Sequence, residues 1–304
     1  MKLASLLALT AAPFALFASS PVLADNHAAT ETTTAQAAAM GPALWKIADE
    51  DTTIYLFGTV HVLPDGVEWY DATIADALTG ADILVTEIPM DASSEPAMQQ
   101  LTMTKGMLPA GTTLRSLLTP EQSAAYEAAL TNLGVPSAAF DPFKPWLAGL
   151  TLSILPLMQQ GYTPGAGVEK VLLSKIGDKP QGALETAEFQ LGIFDGMSQE
   201  AQITFMMEAA EGIDEIKPML DRMVTEWAAG DADALAAIMN EGMDDPAVAE
   251  ALLYSRNANW AEWIDARLDL PGTVFIAVGA GHLAGAKSVQ DYLAERGITA
   301  ARVK

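Results

Sequence analysis

Two segments near opposite ends of the chain share one local pattern, and together they restrict the fold more than any other feature. Leu56-Phe57-Gly58-Thr59-Val60-His61 and Ala277-Val278-Gly279-Ala280-Gly281-His282 each carry an apolar stretch into Gly-x-x-His. Such a stretch, bounded by turn residues, reads as a buried strand. A Gly at its end permits a sharp exit and close backbone approach. The imidazole is then left at the carboxyl end of the sheet, where open α/β sheets bind ligands. A single His beside a strand is ordinarily a hydrogen-bonded structural residue. Its repetition in the same setting points to function.

The rest of the pattern supplies the frame. Leu44 to Ala48, Thr53 to Val60 and Asp82 to Glu87 read as strands, with a helix from Trp69 to Leu78, so the chain opens β-β-α-β. Between about residues 94 and 270 nearly every segment is rich in Ala, Leu, Met, Glu and Gln at a period near 3.6, which predicts a large helical insertion. Expected helices there include Pro120 to Leu133, Pro145 to Gln160, Val168 to Ile176, Ala187 to Phe194, Gln199 to Ala209, Ile213 to Ala229 and Pro246 to Leu268. Ser198 and Asp231 are expected N-caps. One short strand, Gln181 to Leu184, interrupts the helices, and the chain closes with strand Thr273 to Val278, helix Leu283 to Arg296 and strand Thr299 to Val303. The expected class is α/β (α+β): a central mixed sheet carrying two Gly-x-x-His strand ends, with a large helical insertion. Pro145 to Met158 has no charge, but it is too short to span a membrane and contains Pro156, so it reads as a core or pocket-wall helix.

Composition narrows partners and compartment. Sixteen Lys and Arg against 39 Asp and Glu give a net charge of −23, which repels phosphate backbones and anionic lipid; neither nucleic acid nor a membrane surface is an expected partner. With no cysteine, disulfides, thiolate ligands and a Cys nucleophile are excluded. Residues 1–24 read as a signal peptide: Lys2, an apolar run from Leu3 to Phe17, and Val22-Leu23-Ala24 as cleavage site. The expected mature chain has a flexible lead-in over 25–42 and a single domain over 43–304, located in the periplasm or secreted, with no membrane attachment after cleavage. His27, third from the expected mature terminus, reads as a coincidence of composition rather than a Cu(II) or Ni(II) site.

Two glutamates sit in comparable places: Ile83-Leu84-Val85-Thr86-Glu87 and Gly182-Ala183-Leu184-Glu185. A carboxylate at the end of an apolar strand is costly to bury unless paired, protonated or bound to a cation. His61 and Glu87 early, then Glu185 and His282 late, look like facing half-sites. Two imidazoles and two carboxylates can hold a divalent metal of the Zn, Mn, Fe or Co type, or serve as a metal-free acid/base set. His-Glu-x-x-His, Gly-x-Ser-x-Gly, a phosphate loop and a dinucleotide fingerprint are all missing from the sequence, which argues against zincins, serine hydrolases and nucleotide enzymes.

Gly58-Thr59-Val60-His61, Thr86-Glu87-Ile88-Pro89, Gly182-Ala183-Leu184-Glu185-Thr186, Arg256-Asn257 with Trp260, and Val278 to Gly285 together resemble the TraB/GumN family, which includes pheromone-shutdown proteins and the animal TIKI proteases. The resemblance runs from about Leu44 to Val303. It implies a sheet with paired Gly-x-x-His motifs and, in the TIKI branch, metal-dependent peptidase activity with Mn or Co. Carried onto this chain, it makes His61, His282, Glu87 and Glu185 metal ligands, with Glu87, Glu185 and Arg256 catalytic. In that scheme a Glu takes a proton from metal-bound water and Arg256 orients a substrate carboxylate or stabilises an oxyanion; an ion pair on a helix surface is the other reading of Arg256. In Gly165-Ala166-Gly167-Val168-Glu169 the family pattern usually has Asp where this chain has Glu169, whose longer reach leaves it outside the expected set. The function expected is an exported metal-dependent hydrolase acting on peptide or another small substrate. The alternative is a periplasmic protein that binds or sequesters a peptide, metal or other ligand without turnover.

Overall fold

A computed structural model describes residues 41–91, 93–241 and 246–304. The expected signal peptide, nearly all of the lead-in and His27 lie outside the described residues. The fold is mixed α/β around a central six-stranded sheet. Its strands are β1 (Leu44–Ala48), β2 (Thr52–Thr59), β4 (Ile83–Thr86), β6 (Gln181–Ala183), β7 (Gly272–Gly279) and β8 (Ala301–Arg302), in the spatial order β6-β4-β7-β2-β1-β8. The neighbours from β6 through β2 are parallel, whereas β1 pairs antiparallel with β2 and β8. A separate antiparallel pair joins β3 (Leu63–Pro64) to β5 (Tyr162–Thr163); at two residues each, these strands are too short to leave a periodic signal in the sequence.

Alternation along the strands puts apolar side chains on both faces, as a parallel sheet covered on both sides requires. Phe57, Leu84 and Phe275 point into one core, against helices α1 (Ala72–Gly80), α5 (Val168–Lys175), α8 (Ile213–Ala229) and α9 (Ala232–Asn240). Their sequence neighbours Leu56, Val85 and Ile276 point into the other, against α11 (Ser255–Leu268) and α12 (Val289–Glu295). A third core belongs to the insertion, where α3 (Pro120–Asn132), α4 (Pro145–Gln159), α6 (Ala187–Asp195) and α7 (Gln199–Glu211) meet. The uncharged helix α4 is buried in that core through Trp146, Leu147, Leu150 and Leu152; among the described residues no helix is long and apolar enough to cross a membrane. The insertion also contains α2 (Ser94–Gly106), whose apolar face is too weakly marked to stand out in the sequence.

The expected N-caps form: Ser198 accepts from Ala201 N–H and Asp231 from Ala234 N–H. Two helices depart from expectation. The segment expected as one helix from Leu283 to Arg296 is a 3₁₀ turn (Ala280–Leu283) followed by α12, with Gly285 and Lys287 at positive φ between them. The segment from Pro246 to Leu268 is helical but not uniform: α10 (Pro246–Ala249) runs into a π-turn at Glu250–Tyr254 before α11. π-turns recur at functional sites because the extra residue re-aims the side chains beyond it.

One glycine fixes how α5 approaches the sheet. Val168 N–H donates to Val60 O at 3.0 Å, bringing the start of α5 against the backbone of His61. A Cβ on Gly167 would lie 2.1 Å from His61 O, closer than any side chain tolerates. Gly167→Ala is therefore expected to destabilise the protein by roughly 1–3 kcal/mol through overpacking. An unchanged urea midpoint at constant m-value would show that this contact is dispensable.

Candidate functional site at the carboxyl end of the sheet

The parallel strands β6, β4, β7 and β2 all end at one edge, and their register is tight. Thr86 is opposite both Ala183 and Ala277, while Thr59 is opposite Gly279. The side chains just beyond those ends, Glu185, Glu87, His282 and His61, are therefore set out in that order along one line. Pairing continues past the strands, with Leu184 N–H donating to Thr86 O and Glu185 N–H to Glu87 O, and this fixes the two carboxylates side by side. Gly58 permits the other close approach: a Cβ there would meet Ala280 Cα at 3.0 Å, in the turn that carries His282.

Arg256, from the first turn of α11, reaches into this edge and is itself 2 % exposed. Its five N–H groups all find acceptors. Nε donates to Glu185 Oε1 and Oε2 at 2.9 and 3.1 Å, and Nη2 donates to Glu87 Oε2 at 2.6 Å and Glu185 Oε2 at 2.9 Å. Nη1 donates to Leu252 O at 2.9 Å, a carbonyl of the π-turn, and lies 3.2 Å from His282 Nε2. Gln190 of α6 bridges the carboxylates, donating to Glu87 at 2.8 Å and Glu185 at 3.0 Å. Trp260 Nε1 donates to Glu185, and the backbone N–H of Gly279 donates to Glu87 at 2.7 Å. Apart from the two Nη1 contacts, each of these brings an N–H to a carboxylate oxygen. The Glu87 and Glu185 carboxylates beside the Arg256 guanidinium hold its pKa above the ordinary value although burial opposes this.

The two histidines differ. Asn257 donates to Lys287 O at 2.8 Å, so its Oδ1 faces His282 Nδ1 at 2.6 Å. His282 thus carries its proton on Nδ1 and its lone pair on Nε2, facing Arg256. Burial, then Arg256 and His61, push its pKa well below 6.5, and Trp260 packs on the ring with centroids 4.3 Å apart. His61 Nδ1 instead lies 2.6 Å from Glu169 Oε1. This is a close ion-pair contact, and the other ring nitrogen of the buried His61, Nε2, has no hydrogen-bond partner. Burial lowers the pKa of His61, but the charge of Glu169, helped by Glu87, outweighs it and raises the group above 6.5. Glu169 responds in kind: burial pushes it up, yet His61 and the hydroxyl of Thr59 hold it below its usual value.

The expected residues therefore do come to one edge, joined by others that the sequence pattern does not single out. Glu169 falls outside the expected set because Glu replaces Asp, yet its carboxylate reaches both His61 and Thr59. Gln190 and Thr59 give only a weak signal, a buried polar residue on an otherwise apolar element. Arg256 is not a surface residue, and its donors are engaged within the network rather than open to an oxyanion. The set expected to bind metal, His61, His282, Glu87 and Glu185, does not fit a metal centre as arranged. Among the described residues no three His, Asp or Glu side chains converge at ligand spacing. Instead, a guanidinium stands where Glu87, Glu185 and His282 Nε2 would face the ion.

The model of the TraB/PrgY/gumN family matches residues 43–302, which spans the whole sheet and every residue of this edge. The chain belongs to the TraB/PrgY/gumN family. It is also similar to an uncharacterized protein of Treponema pallidum (strain Nichols), 26 % identical over 271 residues that cover 83 % of this chain and 80 % of the relative. No solved structure gives a significant match. In this family member the two Gly-x-x-His motifs hold histidines of opposite electrostatic character, a difference that NMR can read directly. With so few histidines, His61 is expected to titrate above 6.5, while His282 stays neutral in the Nδ1–H form at 6.5 and well below it. Glu169→Gln is expected to move the His61 titration down and leave His282 unmoved. A His282 signal titrating near 6.5 would contradict the assigned tautomer.

Proposed function

We propose that this TraB/PrgY/gumN protein is a hydrolase of amide or ester bonds, acting outside the cytoplasm after loss of residues 1–24, with His61 as general base. Peptides lead as substrate class through the family resemblance. The observation that carries the reading is the His61–Glu169 pair: a buried imidazole with Nδ1 held 2.6 Å from a carboxylate that raises its pKa and Nε2 without a partner, at the carboxyl end of the parallel strands. Oppositely shifted titratable neighbours in such a place are what acid/base catalysis needs. With Glu169 at Nδ1, the proton sits on that nitrogen and the lone pair is on Nε2. A water at Nε2 gives its proton to His61 as its oxygen attacks the carbonyl carbon. The resulting imidazolium is stabilised by Glu169, then protonates the leaving amine or alcohol as the C–N or C–O bond breaks. The products are a carboxylic acid and the amine or alcohol, and His61 returns to its starting state.

A second reading, binding without turnover, is favoured by the complete engagement of Arg256, which leaves it no open donor for an oxyanion. Turnover of a peptide library separates the two. His61→Ala and His61→Asn are expected to lower kcat/KM by about 10²–10⁴-fold. Because the base must be neutral, kcat/KM is expected to rise with pH along a limb lying above 6.5, and Glu169→Gln shifts that limb to lower pH. Stoichiometric ligand binding with no product, or hydrolysis undiminished in His61→Ala, would exclude His61 as the base.

A further inference from the structure

We infer that Arg256 is the resident cation of this site. Its guanidinium takes the position a divalent metal would need among Glu87, Glu185 and His282, so the natural chain binds no metal there. Without the guanidinium, the same acceptors become a cation site.

Lone pairs decide the first half. His282 has a single lone pair, on Nε2, and it faces Nη1 at 3.2 Å; its Nδ1 is held by Asn257. Both oxygens of Glu185 accept from Arg256, and the two oxygens of Glu87 accept from Arg256, Gln190 and Gly279. A metal would have to displace the guanidinium or stand beside it, and in a water-poor interior the repulsion between the two cations is poorly screened. Displacement is blocked as well. The side chain is 3 % exposed, its Cζ lies 4.9 Å from the centroid of Trp260, and the carbonyl of Leu252 in the π-turn holds Nη1.

Charge and chemistry decide the second half. Two carboxylates face one guanidinium, so the cluster already carries an excess negative charge. Removing Arg256 would leave both carboxylates and an imidazole lone pair buried without a counter-charge, which is strongly unfavourable. Carboxylate oxygens and a neutral imidazole nitrogen are the donors that Mn(II), Co(II) and Zn(II) accept. A side chain as short as Ala at position 256 leaves room for the ion.

The test is titration of the full chain, purified without a histidine tag, with Co(II) followed by its visible absorption and with Mn(II) followed by electron paramagnetic resonance. The parent is expected to bind neither stoichiometrically. Arg256→Ala is expected to bind one ion per chain and to lose it again in Arg256→Ala/Glu87→Gln. An Arg256→Ala chain that folds only when metal is added would support the same conclusion. One ion bound by the parent and lost in His282→Asn would overturn the inference, as would an Arg256→Ala chain with native near-ultraviolet dichroism that takes no metal. An Arg256→Ala chain that fails to fold even with Co(II) or Mn(II) present would overturn the second half, and the parent titration decides the first. Metal occupancy is read independently of turnover, so an inactive parent and a metal-binding parent are separate results.

Discussion

A buried guanidinium between two buried carboxylates holds this protein's site together. Such a network loses the hydration of every charge in it, and burying ions is often no better than burying hydrocarbon. What makes this one tenable is completeness. Every N–H of Arg256 has an acceptor, and Glu87 and Glu185 also accept from Gln190, Trp260 and Gly279. Losing one partner would leave the others charged in a dry place, at a cost of about 3–5 kcal/mol. The network also ties together parts of the chain that are otherwise distant: the ends of β4 and β6, helices α6 and α11, and the exit of β7. Its shape is in effect the shape of the site.

Beside it sits a second buried pair of different character. His61 and Glu169 are charged by each other, and their contribution to stability is bounded on both sides. Because Glu169 is held below its ordinary value, that share is lost as pH falls through its folded-state pKa; because His61 is raised, its share fades as pH climbs through the raised value. His282 works in the opposite sense. Held neutral, it cannot take up the proton that the unfolded chain binds below 6.5, so it costs stability on the acid side. The site therefore places a proton-accepting group and a fixed neutral group a short distance apart along one sheet edge.

Much of this is legible in the sequence because it depends on strand ends. Apolar runs closing in Gly-x-x-His or in Glu mark where a strand stops and which side chain stands just beyond it. Parallel pairing then brings His61, Glu87, Glu185 and His282 to the same edge. The roles are less legible, because they depend on which lone pair faces which donor. Only the family resemblance singles out Arg256; nothing in Ser255-Arg256-Asn257 itself reveals that it follows a π-turn and is buried among the two glutamates. Glu169 is hidden for a related reason. Its place is set by the contact at Gly167, a tertiary approach that no local pattern encodes. The short strands β3 and β5 and the turn at Gly285 to Lys287 have too few residues to show a period.

The position of β7 has a consequence for how the molecule reaches this state. It lies between β4 and β2, so the β1–β2 hairpin and the β4–β6 pair have no sheet contact with each other until it is inserted. β7 belongs to a late part of the chain, after the whole helical insertion. A growing or partly folded chain can thus build the helical core while its two half-sheets stay apart. Joining partners so distant in sequence carries a large loop-closure entropy cost, which must be overcome before the contacts form. The Glu87–Glu185 pair and the His61–Glu169 pair belong to the separate half-sheets, and His282, delivered by the strand that closes the fold, completes the constellation.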